Sequence, residues 1–340
     1  MVWGKPKRMK NMPLTDIKNW NEIKNNVTNS NLLLGNGFSI NLHDKFIYDS
    51  LFKKFISSLE DYQKKIFESF MTTNFEIILH DLQTSQKINE LFEIENTKIV
   101  EAIEVLKAGL IRTVKENHPK KSEIDWDKLR RISVDLEQFK DVYTMSYDAL
   151  LYHIILLVND RYKKKKIKYR YNDYFWETYN DNFLEFRDFQ NYLHYKHVYY
   201  LHGTLFIFKH LHYDLKIRNN DIADELIDLI SLAINNDFIP LFVSEGSSQE
   251  KMLSISQSDY LRFSNNMLKS SQDNLVIYGA GLSEPDKHIV DAINKNKRKV
   301  AISIYTNGRS EEQVEDTLLY FRGLFKNQTL SFFNSSTLFN

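Results

Sequence analysis

The chain has 340 residues, 42% hydrophobic and 14% aromatic, enough to bury a sizeable core in one large α/β domain or two small ones. Its 45 basic residues are balanced by 45 acidic ones, so it is not built to neutralise nucleic-acid phosphates or to coat an anionic membrane. It contains no cysteine, which excludes disulfides, thiolate nucleophiles and Cys-ligated zinc or iron–sulfur sites.

Residues 1–16 carry no apolar signal-peptide core. The longest apolar run, residues 149–158, is too short to span a bilayer. A cytoplasmic protein without membrane attachment is the expectation. There is no repeat at fixed period, and low complexity is confined to the basic run 163–166.

The first element is a buried strand, Asn31–Leu34, running into a turn at Gly35. Residues 46–70 carry apolar side chains at helical spacing: Ile47, Leu51, Phe52, Phe55, Ile56, Leu59, Tyr62, Ile66 and Phe70. A second helix is predicted over 96–115, with Ile99, Ile103, Leu106, Leu110 and Val114 on one stripe and His118-Pro119 ending it. A third is predicted over 126–139. Residues 46–140 therefore form a helical block.

Short β-like runs follow at 141–145, 198–201, 205–208, 239–243, 275–278, 300–305 and 330–333. Helical patterns at 149–162, 222–235, 258–270, 285–296 and 311–325 separate most of them. Alternating strands and helices predict an α/β fold: a Rossmann-type, mostly parallel sheet with helices on both faces and a helical insertion. The expected organisation is one domain over 1–340, with insertions at about 46–140 and 160–195. In such sheets ligands bind where strands end, so the loops directly after strands are the candidates for function.

Five of these loops hold chemistry-bearing residues. Gly35-Asn36-Gly37-Phe38-Ser39 is a Gly-rich strand-to-helix turn that lets a backbone approach a phosphate, although it lacks the G-x-G-x-x-G spacing. Thr144-Met145-Ser146-Tyr147-Asp148 sets a hydroxyl and a carboxylate at a strand tip; its plain alternative is an N-cap for the next helix. His202-Gly203 offers a general base. Gly279-Ala280-Gly281-Leu282-Ser283 is a second Gly turn, and two such turns in one sheet suit one extended dinucleotide. Phe242-Val243-Ser244-Glu245-Gly246 is a further polar turn after an apolar strand.

In this order the motifs resemble those of the sirtuin superfamily over residues 31–305. LLLGNGFSI, YDALLY, LHG, FVSEGSSQEKM and YGAGLSEPDKHI look like the sirtuin-like proteins found near bacterial phage-defence genes. The resemblance implies a Rossmann-type domain that takes NAD as substrate, with no metal. It implies His202 as base with Ser146 and Asp148 at the nicotinamide ribose. It implies Gly35, Asn36, Gly37, Phe38, Ser39, Tyr147, Glu245, Gly279, Gly281, Leu282 and Ser283 as the residues that bind NAD.

The implied reaction is hydrolysis of NAD to nicotinamide and ADP-ribose as an antiphage effector. Homo-oligomers, and a second defence subunit or a phage trigger protein, are the implied partners. The chain departs from the family at two positions: Ser146 stands where the family carries Asn, and Gly281 where Ser is usual. Ser146 lacks an amide, so a second expectation is a catalytically silent module that binds NAD or ADP-ribose. The absence of cysteine removes the zinc module of the protein deacetylases.

Five histidines, 194, 197, 202, 210 and 212, crowd one region, with His210 and His212 expected on one strand face. Without a carboxylate at ligand spacing, core or surface histidines are expected rather than a metal site. The basic run near Tyr169, Tyr171 and Tyr174 reads as a solvated loop, not a nucleic-acid surface. The segment 72–76, TTNFE, mimics the Asn-bearing motif but opens a helical run, with Thr73 or Asn74 as its N-cap.

Overall fold

The computed structural model describes residues 16–46, 55–57, 59–70, 72, 75–167, 170–188, 195–218, 226–243 and 247–339. The expectations resting on residues 47–54, Thr73, Asn74, Tyr169, His194, residues 222–225 and Glu245 lie outside the described residues.

The protein is of the α/β, Rossmann-like class. Eight strands form the main sheet: β1 (Ile17–Lys18), β2 (Asn31–Leu34), β3 (Val142–Thr144), β4 (Tyr171–Asn172), β7 (Lys196–Tyr200), β11 (Leu275–Tyr278), β12 (Lys299–Ile304) and β13 (Thr329–Asn334). Their order is β1-β13-β12-β11-β2-β3-β7-β4, and every pairing is parallel.

Alternate residues of each strand enter opposite cores, as the two-residue period of a strand requires. Leu32, Leu34, Val142, Val198, Tyr200, Val276, Tyr278 and Ala301 face one core. Leu33, Tyr143, Tyr199, Leu275, Ile277, Val300 and Ile302 face the other. This double burial is why the strands read as continuous apolar runs.

The helical block joins β2 to β3. It contains α1 (Asn36–Leu42), α2 (Asp61–Phe70), α3 (Phe75–Leu91), α4 (Thr97–Asn117) and α5 (Trp126–Leu136). Leu106, Leu110 and Val114 of α4, Leu129 and Ile132 of α5, and Ile154 and Val158 of α6 (Leu150–Lys164) fill the first core. Ile230 and Ile234 of α7 (Leu226–Asn235) join them. The second core is covered by Leu268 of α9 (Asp259–Ser270), Ile289 and Ile293 of α10 (Lys287–Asn294), and Leu318 and Phe321 of α11 (Glu311–Leu324). Between α7 and α9 lies α8 (Ser248–Ser256).

Two runs expected in the parallel sheet lie elsewhere. The run 205–208 falls within β8 (Gly203–His210), and 239–243 corresponds to β10 (Ile239–Phe242). Both belong to a separate antiparallel sheet with β5 (Phe175–Thr178), β6 (Phe183–Phe186) and β9 (Tyr213–Ile217), in the order β10-β8-β9-β6-β5. The cause is connection length. Only Leu201 and His202 separate β7 from β8, whereas a parallel crossover needs a dozen or more residues. Gly203, at φ +71, turns the chain out of the first sheet. Pro240 is tolerated because β10 is an edge strand.

His210 and His212 do not share a strand. β8 ends at His210, and a turn with Leu211 at φ +54 follows. The region 160–195 contains β4, β5 and β6 rather than loop alone.

Candidate functional site

From β2 the sheet grows to one side through β3 and β7, and to the other through β11, β12 and β13. The direction of winding therefore reverses between β2 and β11, the place where open parallel sheets leave a crevice at their carboxyl ends. The two Gly turns follow these two strands and face each other.

Gly35 N–H donates to Tyr278 O at 2.9 Å, and Gly37 N–H to Gly279 O at 2.8 Å. A Cβ on Gly35 would lie 2.5 Å from Ala280 Cα and Gly279 O; one on Gly37 would lie 2.8 Å from Gly279 Cα. Gly279 has φ +67, and its Cβ would lie 2.5 Å from Phe38 N. These three glycines are required for the loops to touch each other. Phe38 N–H donates to Gly35 O at 3.0 Å, so the Gly37 and Phe38 amides are engaged within the protein.

Gly281 differs: it is exposed, and among the described residues nothing lies within 4 Å of where a Cβ would sit. Phe38 is buried edge-on against Tyr278 and Phe339. Asn36 is exposed, and its amide lies 3.4 Å from Phe46 O. Leu282 is buried at φ +51, its carbonyl accepting from Tyr320 Oη at 2.8 Å. Ser283 is exposed and precedes a short turn, with its carbonyl accepting from Asp286 N–H.

Beside this junction a buried cluster joins β2 to β3. Ser39 Oγ lies 2.5 Å from Asp148 Oδ2, Ser146 Oγ lies 2.7 Å from the same oxygen, and the two hydroxyls are 3.0 Å apart. When both hydroxyl hydrogens point to the carboxylate, neither is left for the Ser–Ser contact, and both serine oxygens present lone pairs. Asp148 Oδ1 accepts from Leu150 N–H at 2.8 Å, which starts α6. Neither Ser146 nor Asp148 is the N-cap expected for this loop: Ala149 takes that position without a side-chain bond, and the carboxylate supports the first helical N–H from the residue before it. Tyr147 is half-buried between the segments: its carbonyl accepts from Leu205 N–H and its ring lies 5.7 Å from Phe242.

His202 is not hydrogen-bonded to this cluster. It is buried in the turn between β7 and β8, and its Nε2 lies 2.9 Å from Nε2 of His288 in α10. His288 Nδ1 in turn lies 3.3 Å from Ser248 Oγ, at the start of α8. Burial holds the His202 imidazole well below its ordinary value, aided by Lys251 and His288, and burial with Lys251 pulls His288 down to about 4. Both rings are therefore neutral at pH 7, and one proton is shared along the Nε2–Nε2 contact. Sequence reasoning misses His288. Its one signal is a histidine in the first turn of a helix following a strand-end Gly turn.

Two more histidines lie near Asp148. His118 Nδ1 is 3.1 Å from Val114 O. Among the described residues, His118 Nε2 and His153 Nδ1 have no hydrogen-bond partner. The two rings line a small cavity of about 20 Å³ with Ala149 and Leu150. Burial lowers both, His153 to about 4, against the opposing pull of Asp148.

Two large clefts open at this end of the molecule. One, of about 1120 Å³, is lined by Gly37, Gly279, Gly281, Ser303, Tyr305, Arg309 and Tyr320 among others. The other, of about 1130 Å³, lies among α8, α9 and α10 and includes Ser248, Lys269, His288 and Asp291. Among the described residues, no three His, Asp or Glu side chains converge in a metal-holding group, and no helix is long and apolar enough to cross a membrane.

No curated protein matches the chain. Residues 32–338, nearly its whole length and every segment of the site, match the family described as a domain of unknown function (DUF4917), and the chain belongs to that family.

Proposed function

We propose that the protein hydrolyses NAD at the nicotinamide–ribose bond, giving nicotinamide and ADP-ribose, and that this serves defence against phage in the cytoplasm. One observation carries the reading: the Gly turns after β2 and β11, the Ser39–Ser146–Asp148 cluster after β3 and His202 after β7 gather at the ends of four neighbouring parallel strands. The ordered likeness of these segments to the sirtuin superfamily supplies the substrate.

In this reading the cleft beside Gly281 takes the ADP portion, with Tyr305 and Tyr320 as aromatic walls and Arg309 nearby. Because the amides of Gly37 and Phe38 are engaged, the diphosphate is met from the open Gly281 side. The serine lone pairs face the ribose hydroxyls.

The C1′–N bond breaks with its electron pair moving to the pyridinium nitrogen. Neutral nicotinamide therefore leaves without an acid. The oxocarbenium-like sugar takes a water, whose proton passes to His202.

A second reading has its own support. Ser146 presents no amide, and both oxygens of Asp148 are occupied by protein donors, which suits a module that binds NAD or ADP-ribose without cleaving it. In either case homo-oligomerisation and a second subunit or phage trigger are proposed from the resemblance alone.

The test is nicotinamide release by the purified chain beside His202→Ala and Ser146→Asn, with ADP-ribose binding measured by calorimetry. The expected result is slow release, lowered about 10²-fold or more by His202→Ala. Undiminished release in His202→Ala overturns the base assignment. Binding without release, together with activity gained in Ser146→Asn, favours the silent module. Neither binding nor release refutes both readings.

A further inference from the structure

A buried base that cannot hold a charge needs somewhere to send its proton. His202 is such a base: it is 3% exposed, and burial, Lys251 and His288 all oppose its imidazolium. Lys251 is itself tied to Asp286 at 2.9 Å, so that carboxylate is committed to the lysine. Among the described residues, the side chain hydrogen-bonded to the His202 ring is His288, which is half-buried and borders the second large cleft through its own position and that of Ser248.

We propose that His288 and Ser248 form a proton relay that carries the proton accepted by His202 outward to the cleft among α8, α9 and α10. This rests on the hydrolytic reading for its chemistry.

The chain His202 Nε2–His288 Nε2–His288 Nδ1–Ser248 Oγ spans two contacts, of 2.9 and 3.3 Å. The Ser248 hydroxyl is amphoteric: it also accepts from His288 N–H at 3.2 Å, and it can donate to Nδ1 or accept from it. Two arrangements therefore satisfy every contact.

In the first, His202 carries its hydrogen on Nε2 and donates to His288 Nε2, while His288 Nδ1–H donates to Ser248. In the second, His202 carries its hydrogen on Nδ1, His288 Nε2–H donates to His202, and Ser248 donates to His288 Nδ1.

Passing from the first to the second takes one proton from the attacking water onto His202 Nδ1. It moves the Nε2 hydrogen of His202 to His288, and the Nδ1 hydrogen of His288 to Ser248. The displaced hydroxyl hydrogen leaves to solvent in the cleft. Each ring gains one proton and loses one, so neither becomes an imidazolium. That matters because a charged ring in this position is penalised by burial and by Lys251. Besides Lys251 and Asp286, the charged groups that line the cleft with His288 are Glu284, Asp291, Lys269, Lys287 and Lys295.

The experiment compares the full-length protein with His288→Gln, whose amide can still bond to His202 but cannot pass a proton on, and with His288→Ala, which leaves room for added imidazole. Turnover is read as kcat and KM for nicotinamide release. Solvent exchange of the His202 ring hydrogen is read by nitrogen-edited NMR without substrate.

The expected result for His288→Gln is kcat down about 10²-fold at unchanged KM, slower ring exchange and an unchanged melting temperature. Imidazole is expected to restore part of the turnover in His288→Ala. Wild-type kcat and wild-type exchange in His288→Gln would overturn the relay. If the wild-type protein releases no nicotinamide, the hydrolytic reading fails, and the exchange measurement alone decides the relay: slowed exchange supports it and unchanged exchange refutes it.

Discussion

Gly279→Ala separates what the Gly turns do for the fold from what they do for a ligand. Gly279 sits at φ +67, where an L side chain costs about 1–2 kcal/mol. Its new methyl would also press on backbone, Phe38 N at 2.5 Å and Gly37 C at 2.7 Å, and neither can swing aside. Overpacking of that kind adds about 1–3 kcal/mol. The sum, about 2–5 kcal/mol, is a large part of the stability of an ordinary domain. Gly281→Ala is the control two residues away: among the described residues nothing lies within 4 Å of its Cβ, so a change within about 0.5 kcal/mol is expected. Urea denaturation followed by tryptophan fluorescence reads both variants. Equal losses in the two, or a loss below about 1 kcal/mol in Gly279→Ala, would refute the interlocked-loop account. If ADP-ribose is bound, Gly281→Ala is the variant expected to weaken it while leaving stability alone.

Other outcomes follow from the buried polar groups. Ser39→Ala and Ser146→Ala each remove one donor from the Asp148 carboxylate, and each should cost about 1–3 kcal/mol; the double mutant should be non-additive by at least about 0.5 kcal/mol, and strict additivity would show that the two hydroxyls do not share the carboxylate. Lys216→Met leaves Asp173 without its 2.5 Å partner inside the protein, and a loss of about 3–5 kcal/mol is expected in denaturant melts; a loss under about 1 kcal/mol would mean that water replaces the lysine. The buried histidines 118, 153 and 202 and the half-buried His288 have folded values below the unfolded one near 6.5. Their contribution is complete above that value and lost as pH falls below it, toward about 4 for His153 and His288, on the order of 1 kcal/mol per pH unit for each. The urea midpoint should therefore drop between pH 7 and pH 5, less steeply in His153→Gln; a flat midpoint would contradict neutral burial.

What is legible in the sequence is whatever lies close along the chain. Strands β2, β3, β7, β11 and β12 announce themselves because burial on both faces makes them unbroken apolar runs, and the residues just past their ends come with them. The second sheet does not. β8 and β10 look locally like any buried strand, and only the two-residue link at Leu201-His202 betrays that β8 cannot run parallel to β7. β5 and β6 are short and set among Asn and Asp residues, so their alternation is hidden. At the site, Ser146 reads as a deficient Asn, yet its hydroxyl has its own place against Asp148 and Ser39, the latter 107 positions away in the chain. His288 is invisible for the same reason: its partner is 86 residues away, and nothing in its neighbourhood encodes that contact.

The turn that carries His202 also has a mechanical side. β10 comes back to the same point: Phe242 pairs with Gly203, and Val243 N–H donates to His202 O at 2.7 Å. The His202 carbonyl is thus held from the antiparallel side while the N–H of its neighbour Leu201 donates to Thr144 O of β3, a seam with almost no slack, since even a methyl on Gly203 would collide with Leu241 O. A push on the antiparallel sheet is passed to the His202 backbone through Val243, and to Tyr147 through Leu205. A partner gripping that sheet would hold a lever on the histidine without touching the cleft.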